Sequence, residues 1–433
     1  MKKNIFVRGI LFLTSALFSC GQKKADTSGL PAFSLKNGIP VYCKSVDSTR
    51  MASVLICVRG GSALFSREYS GIERELFELV SRGGKNHSYD DLLLLDNDKN
   101  ISLGHSELDL GSYMSLSCLS SYLEEGLSAL LDCFLNPSFD KTQFDNMMTE
   151  CDQSLQRMQA DPERLLFYTI NKEIYKDHPL STSASVLPES RQNITMENLK
   201  AHYKKILDAK RIFVVAAGDV NLRKLKRTLE KTLGNIPSLE NDFSIPEIPD
   251  FDISGQTVSL KSSALAKGSG HIALVFKSPS FHSKDLAAAR LAASMYGESL
   301  FNIVRTKYGA CYTPSTSAGF SPAPCGMVFL FRVSDMENAA SYIPEAEEDF
   351  LGGDIEGNLK GYVKKYINSA YQNQMSCAAI ASRSANALLS LGDIDGFDKI
   401  ADAAKKLTAA DVRRVFKKYW QDGQKRTFEI SGQ

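Results

Sequence analysis

Apolar positions along the first half of the chain recur with two periods. In "SGIERELFELVSRG" (70–83), Ile72, Leu76, Leu79 and Val80 fall at i, i+4, i+7 and i+8, one apolar stripe at helical spacing. Ser70, followed three residues later by Glu73, reads as a capping box, so the pattern predicts a helix over 71–82. Arg74 and Glu78 then stand one turn apart on the other face as an i,i+4 pair, and Glu73, Glu75 and Glu78 are expected on the polar side. Further helical patterns occupy 120–135, 140–160 and 163–176, and apolar runs predict strands at about 32–44, 52–59, 110–118 and 211–218. This alternation predicts an α/β (α+β) fold whose sheet is covered by helices on one face.

The pattern then repeats. "ITMENLKAHYKKILDAKRIFVVAAGDV" (194–220) parallels "LTAADVRRVFKKYWQDGQKRTFEISGQ" (407–433): a helix capped by Thr195 or Thr408, a Lys-Lys pair, a polar turn and a strand. The strand "ASVLICVRGGS" (52–62) likewise pairs with "HIALVFKSPS" (271–280). A period of about 215 residues is far longer than a solenoid unit, so a domain has been duplicated. Between the copies, 235–256 carries Pro237, Pro246 and Pro249 without sustained periodicity and reads as a linker. The halves are therefore expected at 32–234 and 257–433, consistent with a 433-residue chain too long for one ordinary core.

Composition narrows the function. A formal net charge of +1 and the absence of a concentrated basic face exclude a dedicated nucleic-acid binder. Lys2, Lys3 and Arg8 precede the apolar run "GILFLTSALF", a charged region and a short apolar core too brief to span a bilayer. The run ends in "LFSC". This resembles a bacterial lipoprotein signal at 1–19, with Cys20 as the lipidated residue and 20–31 as a tether. The resemblance implies a body anchored to a bacterial membrane on the envelope side, periplasmic or otherwise extracytoplasmic. The other eight cysteines form no C-x-x-C pair, which removes zinc-ribbon and thioredoxin readings.

A strand, Gly-Gly-Ser, then Ser-Gly and an amphipathic helix resemble the pitrilysin/insulinase metallopeptidases and the related mitochondrial processing peptidase. "SYMSLSCLSSYLEEGLSALLDCFLNPSFD" (112–140), "FDNMMTECDQSLQRMQADP" (144–162), "DHPLS" (177–181) and "LFNIVRTKYGACY" (300–312) continue the likeness through both halves. The resemblance implies two homologous halves, each a mostly antiparallel sheet covered by helices, closing as a clamshell-like pair. In that family the helix carries H-x-x-E-H, two zinc-binding His around a general base. Aligned on Ser70-Gly71, those positions fall on Arg74, Phe77 and Glu78, and the distant Glu ligand falls on Gln153, with Glu150 close by. A guanidinium cannot coordinate a metal and a phenyl ring cannot accept a proton, so the chain is expected to hold no zinc and to have no catalytic residue of its own. His87 and His105 are the histidines placed to approach this helix from loops.

The same family uses an Arg and a Tyr from its second half to hold the substrate backbone, and "RTKYGACY" supplies Arg305 and Tyr312 in that order and spacing. Arg305 is expected near a helix end stopped by Gly309, with Tyr312 in the following strand. The implied role is that of a non-catalytic subunit that binds peptide or unfolded polypeptide and pairs with a zinc-bearing homologue. A binding or scaffold lipoprotein with no part in proteolysis is the alternative.

Overall fold

A computed structural model describes residues 30–46, 48–176, 178–181, 184–239, 243–245, 247–248, 250–319 and 325–433. The leader and Cys20 lie outside the described residues. One sheet contains β1 (Phe33–Ser34), β2 (Pro40–Ser45), β3 (Met51–Arg59), β4 (Ser102–Leu108), β5 (Gly111–Leu119) and β6 (Ile212–Gly218), in the spatial order β1-β2-β6-β3-β5-β4. The other contains β7 (Val258–Ser262), β8 (Gly270–Lys277), β9 (Cys311–Ala318), β10 (Cys325–Val333) and β11 (Lys425–Gly432), in the order β7-β11-β8-β10-β9. Without the two-residue β1, the orders are the same. In each sheet the last strand in sequence enters between the first two, parallel to one (β2 with β6, β7 with β11) and antiparallel to the other. The remaining pairs are antiparallel, so the two halves share one topology.

The first half's helices are α1 (Ile72–Val80), α2 (Tyr89–Lys99), α3 (Leu123–Leu135), α4 (Lys141–Ala160), α5 (Pro162–Tyr175), α6 (Met196–Ile206) and α7 (Leu222–Lys231). The second half has α8 (Leu286–Leu300), continued by a π-helical Phe301–Lys307, then α9 (Tyr342–Gly352), α10 (Ile355–Gln372), α11 (Cys377–Leu391), α12 (Gly396–Ala403) and α13 (Ala409–Phe416). Local chemistry sets several boundaries. Thr195 and Thr408 accept from the backbone N–H groups of Asn198 and Asp411, capping α6 and α13, and Asp161 caps α5 with Pro162 at its first position. Between Asn235 and Val258 the described residues form no helix or strand. Among the described residues no helix is long and apolar enough to cross a membrane.

The expectation that helices cover one face of each sheet needs correcting, because both faces are covered and the second cover is exchanged between the halves. On β3, Val54, Ile56 and Val58 pack with Leu76, Leu130 and other residues of the first half. The alternate residues Leu55 and Cys57 pack with Ala381, Ala385 and Leu388 of α11, from the second half. Reciprocally, Leu166, Ile170 and Ile174 of α5 lie on Ala273, Val275, Phe428 and Ile430 of the second sheet. Two-sided burial explains why β3 and β6 read as unbroken apolar runs and not as alternating strands. Among the described residues the halves are thus joined by two apolar contacts, each supplied by a helix that covers the sheet of the opposite half.

Candidate functional site

Helix α1 does not begin with a capping box. Gly71 occupies the cap position with a left-handed backbone (φ 81°), and no side chain bonds the helix N-terminus. The Ser70 hydroxyl instead donates to the Ser185 carbonyl oxygen at 3.1 Å. Glu73 is buried: it accepts from the Ser112 hydroxyl at 2.5 Å, lies 3.1 Å from His202 Nε2 and faces Arg211 at 3.8 Å. Burial opposes its charge, yet these partners hold its carboxyl below the usual range. The expected polar side of α1 is therefore largely internal, because the helix is wedged against α4 and α6 as well as the sheet.

The three positions aligned with H-x-x-E-H have separate fates. Phe77, at the place of the general base, is 1% exposed and belongs to the first half's core. Arg74 donates from Nη1 to Glu75 Oε1 at 3.0 Å, so the expected Arg74–Glu78 pair does not form. Arg74 also lines a cavity of about 410 Å³ with Cys151, Leu155, Arg164 and Tyr168. Burial raises the Glu75 carboxyl to about 7, against the pull of Arg74.

Glu78 belongs to a chain of ion pairs. Its Oε1 accepts from Arg82 Nε at 2.8 Å, and its Oε2 lies 2.8 Å from His105 Nε2. His105 Nδ1 meets Glu107 Oε1 at 2.7 Å, and Arg82 Nη2 reaches Glu150 at 2.8 Å. His105 approaches from strand β4 and not from a loop; the sequence pattern missed both β4 and α2. His87 lies elsewhere, 3.1 Å from Asp132 Oδ2. Burial disfavours the His105 cation, but Glu107 and Glu78 outweigh it and lift its pKa to about 9. His105 and then Arg82 hold Glu78 down to about 2 against its own burial.

These residues do not fit a catalytic zinc. Arg74 has no lone pair to offer, Phe77 has no polar atom, and both Glu78 oxygens are engaged by cations. Gln153 is exposed, and Glu150, the nearby carboxylate, is bound to Arg82. With no base and no ligand set, α1 has no means of activating a water.

In the second half, Arg305 lies in the π-helical end of α8 and Tyr312 at the start of β9, and Gly309 between them has φ 61°. The Arg305 guanidinium carbon lies 4.9 Å from the centre of the Tyr312 ring and 5.0 Å from that of Phe301. The structure brings Arg305 and Tyr312 together and leaves Tyr312 exposed; neither lines the cavity beside Arg74.

Residues 193–338 match the family described as Peptidase M16 inactive domain. The chain is similar to the non-peptidase homolog YmxG of Helicobacter pylori, 23% identical over 65% of this chain and 66% of that protein. The fold matches the crystal structure of a peptidase M16 inactive domain from Pseudomonas fluorescens with a TM-score of 0.81 at 16% identity, over 93% of this chain and 98% of that one. The chain is similar to pitrilysin-like M16 proteins of the inactive kind. It keeps the fold of the peptidases, and its first-half helix is rebuilt as packing and ion pairs. The chain is also similar to the zinc protease PqqE of H. pylori, 22% identical over 98% of this chain and 99% of that protein. It spans between 49% and 66% of the length of the first curated relatives it matches.

Proposed function

We propose that this M16 homologue is the non-catalytic, peptide-binding member of a two-chain peptidase whose zinc and general base come from a homologous partner. The observation that carries this reading is the asymmetry between the halves. Arg74, Phe77 and Glu78 leave α1 without metal chemistry, while Arg305 and Tyr312 stand together beside the exposed ring of Phe301. A guanidinium fork and a phenolic hydroxyl are suited to a peptide carbonyl or carboxylate. H. pylori carries both a zinc protease and a non-peptidase homologue similar to this chain, the two kinds of subunit such a pair requires. The edge strands β4 and β9 offer an extended peptide a place to add as a further strand.

In this reading Cys20 is lipidated, the body faces the cell envelope, and zinc is present only in the partner. The test is purification from the native membrane, followed by reconstitution. A zinc-bearing homologue should co-purify, this chain alone should contain no stoichiometric zinc, and Arg305→Ala should lower peptide cleavage by the pair at least tenfold. Absence of such a partner, together with unchanged cleavage by the variant, overturns the reading. The name of YmxG, a non-peptidase homolog, favours a second one, a binding or scaffold lipoprotein outside proteolysis.

A further inference from the structure

We propose that a second cavity, between the two halves, receives the C-terminal carboxylate of a short peptide ending in an apolar residue. The proposal rests on the peptide-binding part of the reading above, but it concerns different residues. The cavity has a volume of about 500 Å³, within the usual span of small-ligand sites, roughly 300–1,000 Å³, and accommodates a chain end better than a long strand. One wall is the β4–β5 turn of the first half, Leu108 to Leu110. The others come from α8, α10, α11 and α12 of the second half, with Phe281 before α8, Thr316 of β9 and Asn373 just past α10.

Two cations converge there from different helices. Arg290 of α8 and Arg383 of α11 both lie over the ring of Phe397 in α12, with guanidinium carbons 5.9 and 5.4 Å from its centre. Arg290 is also 5.8 Å from the centre of the Phe281 ring and donates to the Gly319 carbonyl oxygen at 2.6 Å. Arg383 donates from Nε and Nη2 to Asp398 Oδ1 at 3.2 and 3.1 Å, leaving Nη1 without a partner among the described residues. Aromatic faces orient the guanidinium planes, and their N–H edges are matched to a carboxylate.

The other lining groups agree with a peptide end. Asn386 lies one turn beyond Arg383, and its side-chain amide, like that of Asn373, can bond a peptide backbone. Leu110, Leu389 and Ala293 supply apolar surface for a last side chain. The balance of charge favours a monoanion over a phosphate. Asp398 offsets Arg383, and Asp109, the one carboxylate among the described lining residues, enters from the opposite half.

The experiment measures binding of Ala-Ala-Phe, of its C-terminal amide and of inorganic phosphate to the isolated chain by calorimetry. Trp420 is the chain's single tryptophan and donates to Thr316, which lines the cavity, so its fluorescence offers a second readout. The free acid should bind at least tenfold more tightly than the amide, and Arg383→Gln or Arg290→Gln should bring the two to parity. The acid-against-amide comparison uses the unaltered chain, so it stands even if a variant folds poorly. Equal affinities, no saturable binding of the acid, or phosphate binding as tightly as the acid would each overturn the proposal. Because no partner is needed, a tenfold preference for the acid combined with no zinc-bearing homologue co-purifying from the native membrane would uphold the pocket and reject the two-chain peptidase.

Discussion

His105 Nε2 sits 2.8 Å from Glu78 Oε2, tying strand β4 to the helix position where the peptidases keep their second zinc-binding histidine. A histidine in the neighbourhood of that position has become the partner of a carboxylate, and both are held in their charged forms. The contact at this helix position is therefore itself dependent on pH.

The raised pKa of His105 sets the sign of one window. Because its folded value, about 9, exceeds the free value of 6.5, its contribution is fully present below pH 6.5 and is lost as pH rises through 9. Glu78, lowered to about 2 from 4.5, acts oppositely, with its contribution lost as pH falls from 4.5 through 2. His105→Gln should lower stability at pH 6 by about 2 kcal/mol, the scale of hydrogen bonds to charged groups, and by much less at pH 10. Urea denaturation of both proteins at the two pH values checks this.

Glu75 should behave as a cost to the fold. Its folded pKa, about 7, lies above the free value of 4.5, so stability falls as pH rises between those values. Glu75→Gln should raise stability at pH 8 by on the order of 1 kcal/mol and have little effect at pH 4. A thermal midpoint that is unchanged or lower at pH 8 would contradict this account of the buried carboxyl.

Phe77 makes the loss of the base hard to reverse. Phe77→Ala should cost about 3–5 kcal/mol, as for other buried aromatic truncations. Phe77→Glu, combined with Arg74→His and Glu78→His, should destabilise the chain, because it places a carboxylate in the first half's core. Denaturation midpoints of the single and triple variants, with zinc content of the triple, are the measurements.

The exchanged helices predict one unfolding event for both halves. Leu166 of α5 is fully buried against the second sheet, and Leu166→Ala should cost about 2–5 kcal/mol. Calorimetry should show a single transition that moves as a unit in this variant. Two separable transitions, with only one shifted, would contradict the coupling.

Much of the architecture was legible along the chain. Thr195 and Thr408 announced their helices through local hydrogen bonds, and β3, β6 and α3 to α6 followed apolar period, since each signal lies within a few residues. The homologous helix-strand endings were visible for the same reason. The placement of Arg305 at a helix end and Tyr312 in the next strand also followed from short-range chemistry, with Gly309 as the break. The site around α1 was less legible. A short stripe of apolar residues could not reveal that α4 and α6 bury its polar side, and Glu78 meets a histidine 27 positions away with no spacing to betray it.

The sequence by itself determined many of the elements, though not β4 or α2, the repetition of the helix-strand endings, and that Arg74, Phe77 and Glu78 cannot perform zinc chemistry, because all three follow from local pattern and side-chain composition. Only the tertiary structure decided that α5 and α11 exchange sheets, that Phe77 becomes core and that Glu78 pairs with His105 and Arg82. Periodicity specifies that a face must be buried, but the surface that buries it is chosen by contacts between segments far apart in the chain.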